Sequence, residues 1–275
     1  MSKQEQPQGI APVLTALVMF NRNVQIQSLN ALNNCPKSIN DLDELILGAT
    51  TILTPLLETA LLRRFIYASH ERQLNRTYRN RLANRGRTAQ GVFWRSQTSQ
   101  IARFDALLSL VYQLAPQKPV TIADIGCGYG AMLAFINKTP AYAQTVYHGV
   151  DINRAMIAAC HQIFPAKNAL FTIGNAPPKL VDFCVFSGTF NLTHSDDPDL
   201  WMDYIFTCLD RCMERARYGL VLNLLSAPKA KIESQIFYAD RAAFIHRAEA
   251  MIGPTHAQST KYVSGDVSFV ITRKT

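Results

Sequence analysis

The sequence predicts an α/β fold: a doubly wound, mostly parallel seven-stranded sheet with an antiparallel C-terminal hairpin, preceded by a helical N-terminal extension. Three observations carry this reading. Val120 to Ala131 runs from a buried β-branched strand through a glycine turn into a helix start. Short apolar runs then alternate with helical periodicities, as parallel sheets require. The chain closes on two strand-like runs around Gly265-Asp266, the pattern of a hairpin.

In chain order, Met1 to Gly9 is a polar tail and Ile10 to Leu32 fits two short helices or one interrupted helix. Ser38-Ile-Asn-Asp41 is a helix N-cap signal, followed by Leu42, Leu45, Ile46 and Ala49 at helical spacing. Pro55 restarts or kinks this helix, and Asn84-Arg85-Gly86-Arg87 ends it. Ser99 to Leu114 is amphipathic, with Ile101, Phe104, Leu107, Leu108 and Val111 inside. Strands follow at 120–124, 146–150, 169–173, 181–186 and 219–224. Helices fall at 131–136, 154–163, 199–217 and 241–251. The link Asn175-Ala-Pro-Pro-Lys is too short for a crossover helix, and 258–263 with 267–272 form the hairpin. Residues 1–90 are thus a helical, arginine-rich extension that serves as lid or oligomerisation surface, and 91–275 the α/β domain.

Composition narrows the class. Of 275 residues, 48% are apolar and 17% charged, ordinary for a folded protein with ample core. The run Ile10 to Phe20 is too short to span a bilayer and lacks signal-peptide flanks, so the cytoplasm is the expected compartment. Six scattered cysteines form no C-x-x-C pair, which implies reduced, buried thiols and no metal site. The net charge of +8 is local: between Arg63 and Arg103 stand ten arginines, no lysine and one acid, Glu71. Arg72, Arg76 and Arg79 share a helical face, which is either a solvated surface or an electrostatic arm for RNA or another anion.

The chemistry centres on Asp124-Ile-Gly126-Cys127-Gly128-Tyr-Gly130. Glycines after a strand let backbone approach a ligand, and Gly126, Gly128 and Ala131 also match a dinucleotide fingerprint. Asp124 separates the alternatives, since a carboxylate there repels a pyrophosphate and suits an ammonium group. This stretch resembles the first motif of the class I S-adenosylmethionine-dependent methyltransferases, and Gly149-Val-Asp151-Ile152-Asn153 resembles their second. The resemblance implies S-adenosylmethionine as cofactor. Asp124 and the glycine loop would face its methionine part, Asp151 its ribose hydroxyls, Ile152 its adenine, and Asn175 the adenine amino edge.

Trp94-Arg-Ser-Gln-Thr-Ser-Gln with Arg103 also resembles the segment before the first strand in a group of bacterial methyltransferases, where Arg103 would hold the cofactor carboxylate. Ser187-Gly-Thr-Phe-Asn191 resembles the Ser-Gly-x-Phe-Asn motif of that group, and no Asn/Asp-Pro-Pro-aromatic motif of base N-methylation is present. Ser187 is assigned to the cofactor, Asn191 and Tyr238, the latter in a loop after the fifth strand, to the acceptor, and His194 to general-base catalysis, being the nearby side chain that titrates near neutrality. Trp201 and Tyr204 either wall the acceptor pocket or fill core, and their helical spacing with Ile205 favours packing. The expected function is methyl transfer to a hydroxyl or amine of a small molecule. The rivals are RNA methylation through the arginine-rich segment, a non-catalytic scaffold, and NAD chemistry. A homodimer is a further possibility that the extension raises.

Overall fold

The computed structural model describes residues 39–165, 170–260 and 263–274, with side chains described from residue 61 onward. The expectations for Met1 to Ser38 lie outside these residues. The chain divides into two compact units after Arg63, and the second, Arg64–Thr275, holds the sheet and the side chains discussed below.

Helix α1 (Ile39–Arg85) continues through Pro55 without a restart and stops where Gly86 turns left-handed, at φ +67°. Helix α2 (Gln97–Leu114) starts at Ser96, whose hydroxyl accepts from the Ser99 amide at 3.1 Å. Phe104, Leu107, Leu108 and Val111 are buried as the periodicity requires, but Ile101 is exposed. Then come β1 (Val120–Ile125), α3 (Ala131–Ile136), β2 (Thr145–Asp151), α4 (Arg154–Ile163), β3 (Leu170–Ile173) and β4 (Val181–Phe186). No helix separates β3 from β4, as the short proline-rich link dictates.

After β4 the chain forms α5 (Pro198–Met213), capped by Asp197, and β5 (Ala216–Ala227). The predicted helix through Arg217 therefore ends four residues early. Backbone pairing of Ala216 with Val181 claims that stretch for the sheet. Next follow β6 (Lys231–Glu233), β7 (Ile236–Asp240), α6 (Arg241–Met251), β8 (Thr255–Ser259) and β9 (Asp266–Thr272).

Strand order is β3-β2-β1-β4-β5, and β5 carries two further neighbours. Residues Gly219 to Leu225 pair antiparallel with β9, which pairs in turn with β8. Ser226 and Ala227 pair parallel with β7, the inner strand of the small β6–β7 hairpin. Seven strands match the predicted ones in order, with the first hairpin arm at Thr255–Ser259 and not at 258–263, and β6–β7 is an addition to them.

The parallel strands are apolar without alternation because both faces are covered. Along β4, Phe183 and Val185 enter one core layer with α2, α3 and α4. Cys184 and Phe186 enter the other, with α5, α6 and Leu74 of α1. Because β1 sits between β2 and β4, the connections leave its carboxyl end in opposite directions and open a crevice there. Among the described residues no helix is long and apolar enough to cross a membrane.

Candidate functional site

The crevice holds a cavity of about 1050 Å³, counting the volume open to solvent. Its floor is the turn after β1. Gly126 and Gly128 adopt φ +77° and +56°, which side-chain-bearing residues avoid. A methyl on Gly126 would stand 2.7 Å from Thr189 Cγ2, so only glycine lets the loop after β4 close against this turn. Gly130 faces the other way. A Cβ there would meet Phe164 at 2.7 Å, and the residue serves helix packing and does not line the cavity.

Two buried carboxylates stand at neighbouring strand ends. Asp124 Oδ2 accepts from Tyr147 Oη at 2.6 Å. Desolvation pushes its pKa up to about 7 against the downward pull of that bond, and the nearby Asp151 charge adds to the rise. Asp151 holds two backbone amides, Gly128 N–H on Oδ2 at 2.8 Å and Asn153 N–H on Oδ1 at 2.7 Å. Burial raises its pKa to about 6, with both amides opposing the rise. Asp151 thereby ties the glycine turn to the end of β2. Each carboxylate oxygen has a second lone pair for a ligand.

The roof comes from α1. Leu74, Asn75 and Tyr78 line the cavity, and the helix is fastened to loops after three different strands. Asn153 Nδ2 donates to Asn75 O at 3.0 Å, Thr77 Oγ1 and His194 Nε2 are 2.8 Å apart, and Glu71 Oε1 accepts from Asn175 Nδ2 and Tyr204 Oη, both at 3.1 Å. The wall is aromatic. Trp201 and Tyr204 stack at 4.9 Å, and Trp94 lies across Gly188.

Of the residues singled out by sequence, Asp124, Gly126, Cys127, Gly128, Asp151, Ile152, Asn175 and Ser187 are brought together around this cavity. Asn175 is partly committed: its amide bonds Glu71 and accepts from Arg211 at 2.8 Å. Ser187 Oγ is buried without a hydrogen-bond partner.

Gly130 and four further predicted site residues fall outside the lining. Arg103 is outside the lining, because its guanidinium is buried against Asp266, with Nε to Oδ1 at 2.8 Å. Asn191 braces the backbone, accepting from Leu225 N–H at 3.2 Å, and does not line the cavity. Tyr238 lies in β7 and not in a loop, paired with Lys231 across the hairpin. His194 is also outside the lining; its Nε2 is engaged by Thr77.

Sequence alone does not bring out the contribution of α1, Trp94, Gln100 and Tyr129 to the lining, whereas Trp201 and Tyr204, weighed between pocket wall and core, stand in it. The signal for α1 was present. Tyr67, His70, Glu71, Leu74 and Tyr78 recur at three- and four-residue spacing on the face opposite Arg72, Arg76 and Arg79. Those three arginines are exposed, whereas Arg81 stacks on Phe93 at 4.5 Å.

No protein-family model matches the chain. Over 128 residues it is 30% identical to a Mycobacterium tuberculosis protein provisionally named a methyltransferase, an alignment that covers 46% of this chain and 76% of that one. A solved S-adenosylmethionine-dependent methyltransferase from Leishmania major shares the fold at a TM-score of 0.51 and 11% identity, over 68% of this chain and 77% of the other. The structure of DesVI from Streptomyces venezuelae aligns at a TM-score of 0.49 and 12% identity, over 65% and 93%.

Proposed function

Given that the chain belongs to the class I S-adenosylmethionine-dependent methyltransferases, we propose that it methylates an amine or hydroxyl of a small molecule in the cavity at the carboxyl ends of β1 and β4. The observation that carries this is the pair of buried carboxylates, Asp124 and Asp151, on either side of the glycine turn.

The residues present fit the cofactor. Asp124 suits its ammonium group, Asp151 the ribose hydroxyls, and Ile152 with Asn175 the adenine. The partnerless Ser187 Oγ is a buried polar atom that a ligand would satisfy. With Arg103 committed elsewhere, the cofactor carboxylate falls to Gln100 and Tyr129, which line the same cavity. The bound cofactor supplies a methyl group on a positively charged sulfur. The chain's own task is to align the acceptor and keep water out, and Trp94, Trp201 and Tyr204 give the apolar surface for it.

The described lining contains no histidine, lysine or arginine. A hydroxyl acceptor would lack an imidazole to take its proton. An amine that arrives with a free lone pair needs none, which favours amines within this reading. It also disfavours an acceptor whose anionic group must enter the cavity. We assign the transfer chemistry to residues 91–275 and a lid role to the extension 1–90, with dimerisation as its other use.

A second reading has one observation behind it: Arg72, Arg76 and Arg79 are exposed on the outward face of α1, where an RNA could lie. Salt-dependent RNA binding that Arg72, Arg76 and Arg79 to glutamine substitutions abolish would favour it. The first experiment is calorimetric titration with S-adenosylmethionine, S-adenosylhomocysteine and NAD, for the unaltered protein and Asp151→Ala. Binding of the first two, strongly weakened in the variant, supports methyl transfer. Binding of NAD alone overturns it.

A further inference from the structure

Asp266, the first residue of β9, is 1% exposed, and its carboxylate receives three side-chain donors. Arg103 Nε reaches Oδ1 at 2.8 Å, Asn223 Nδ2 reaches the same oxygen at 2.7 Å, and Thr260 Oγ1 reaches Oδ2 at 2.6 Å. No part of Asp266 lines the cavity. Yet two of its three donors continue to one residue that does.

Asn223, held through its amide nitrogen, offers its oxygen to Gly188 N–H at 2.8 Å. Arg103, held through Nε, lays its guanidinium over Trp94, 4.6 Å from the ring centroid. Trp94 in turn lies against Gly188, where an added Cβ would be 2.6 Å from the indole ring. Gly188 is thus clamped by a hydrogen bond from one side and an aromatic face on the other, at φ +66°. Its neighbours are the partnerless Ser187 and Thr189, and Thr189 bonds Ile125 O at 2.6 Å and packs on Gly126.

The geometry points to Asp266 as a positioning residue for the methyl-donor end of the site: through Arg103 and Asn223 it fixes the Ser187-Gly188-Thr189 segment against the glycine turn. This rests on the methyltransferase reading for the ligand, and on distances alone for the clamp. The carboxylate is needed for its charge. An amide keeps the one oxygen that Arg103 and Asn223 share and turns its N–H toward the Thr260 hydroxyl, but it leaves the buried guanidinium of Arg103 without a counter-charge. A lysine at 103 would keep the charge and lose the flat stacking surface.

The test compares Asp266→Asn with Asp182→Asn. Asp182 is likewise buried, bonded to Thr121 N–H at 2.7 Å and Arg217 at 3.0 Å, but it lies at the opposite end of β4 from the cavity. Two quantities are read: affinity for S-adenosylhomocysteine by calorimetry, and hydrogen exchange of the peptide carrying Gly188. Asp266→Asn is expected to weaken binding between about 10- and 100-fold and to speed Gly188 exchange. Asp182→Asn is expected to lower stability with neither effect. Should Asp266→Asn not fold, Arg103→Lys carries the same expectation. Unchanged affinity and exchange in the folded variant, or equal losses in Asp182→Asn, overturns the proposal. If the unaltered protein itself does not bind S-adenosylhomocysteine, the cofactor reading fails, and Gly188 exchange alone decides the positioning claim.

Discussion

The acid at the end of β1 should make ligand binding and folding respond to pH in opposite directions. Burial raises the Asp124 pKa from an ordinary 3.8 to about 7. Between these values the folded chain keeps a proton that the unfolded chain has released, so the stability of the free protein falls as pH rises through the window. Each pH unit costs about 1.4 kcal/mol, and the full window on the order of 4 kcal/mol. A ligand ammonium reverses the preference, because it requires the ionised carboxylate. At pH 6 only about one Asp124 in eleven is ionised, so S-adenosylhomocysteine should bind about tenfold more weakly there than at pH 8.

Asp124→Asn isolates the group from every other titration. The variant should match the unaltered protein in urea unfolding at pH 4, exceed it at pH 7.5, and bind the ligand weakly at all pH values. Tyr147→Phe, which removes the bond that favours the ionised form, should move the binding midpoint upward. Equal pH trends with and without Asp124, or tighter binding at pH 5.5 than at 7.5, would refute the reasoning.

Other substitutions test the cavity's construction. Gly126→Ala combines a left-handed backbone, worth about 1–2 kcal/mol, with a methyl 2.7 Å from Thr189. It should lower the unfolding midpoint and weaken ligand binding at least about tenfold. Gly86→Ala shares the backbone penalty but meets nothing within 4 Å, so calorimetry should find its ligand affinity unchanged. Asp151→Ala loses the tie between the glycine turn and β2, and titration should show binding weakened by about 2–3 kcal/mol. His194→Ala, whose ring engages Thr77 outside the cavity, should leave methyl-transfer rate within about threefold once an acceptor is found. A drop of about a hundredfold would return His194 to catalysis.

The strands and the cofactor turn were legible because their signals are local. Continuous apolar runs mark strands covered on both faces, and β4 was read to the residue. The helices at 131–136, 154–163 and 241–251 were equally clear. What failed depends on partners remote in sequence. Arg103 looks like a free cation until Asp266, 163 residues later, is seen against it. Lys231–Glu233 is too short and polar to declare itself a strand, so Tyr238 was placed in a loop. The end of α5 was set by sheet pairing of Ala216, which overrides helix propensity. For Trp201 and Tyr204 helical spacing cannot separate core from pocket wall, and both hold: the rings stack and line the cavity.

Helix α1 puts the roof of the cavity ahead of its floor in the chain. Leu74 to Tyr78 leave the ribosome well before Asp124 and Asp151 exist to be covered, and Cys208 follows later still. The lining can therefore be complete only after Cys208 has been made. A ligand that occupies it joins the first third of the molecule to the last. One specific cut between Gly86 and Ser96 would leave the strands whole and the roof held by the bonds of Glu71, Asn75 and Thr77, with no covalent tether. A protein cleaved there should elute as one particle while ligand is present and lose its amino-terminal fragment when ligand is removed. The bound nucleoside would then be the fastener between two pieces of one polypeptide.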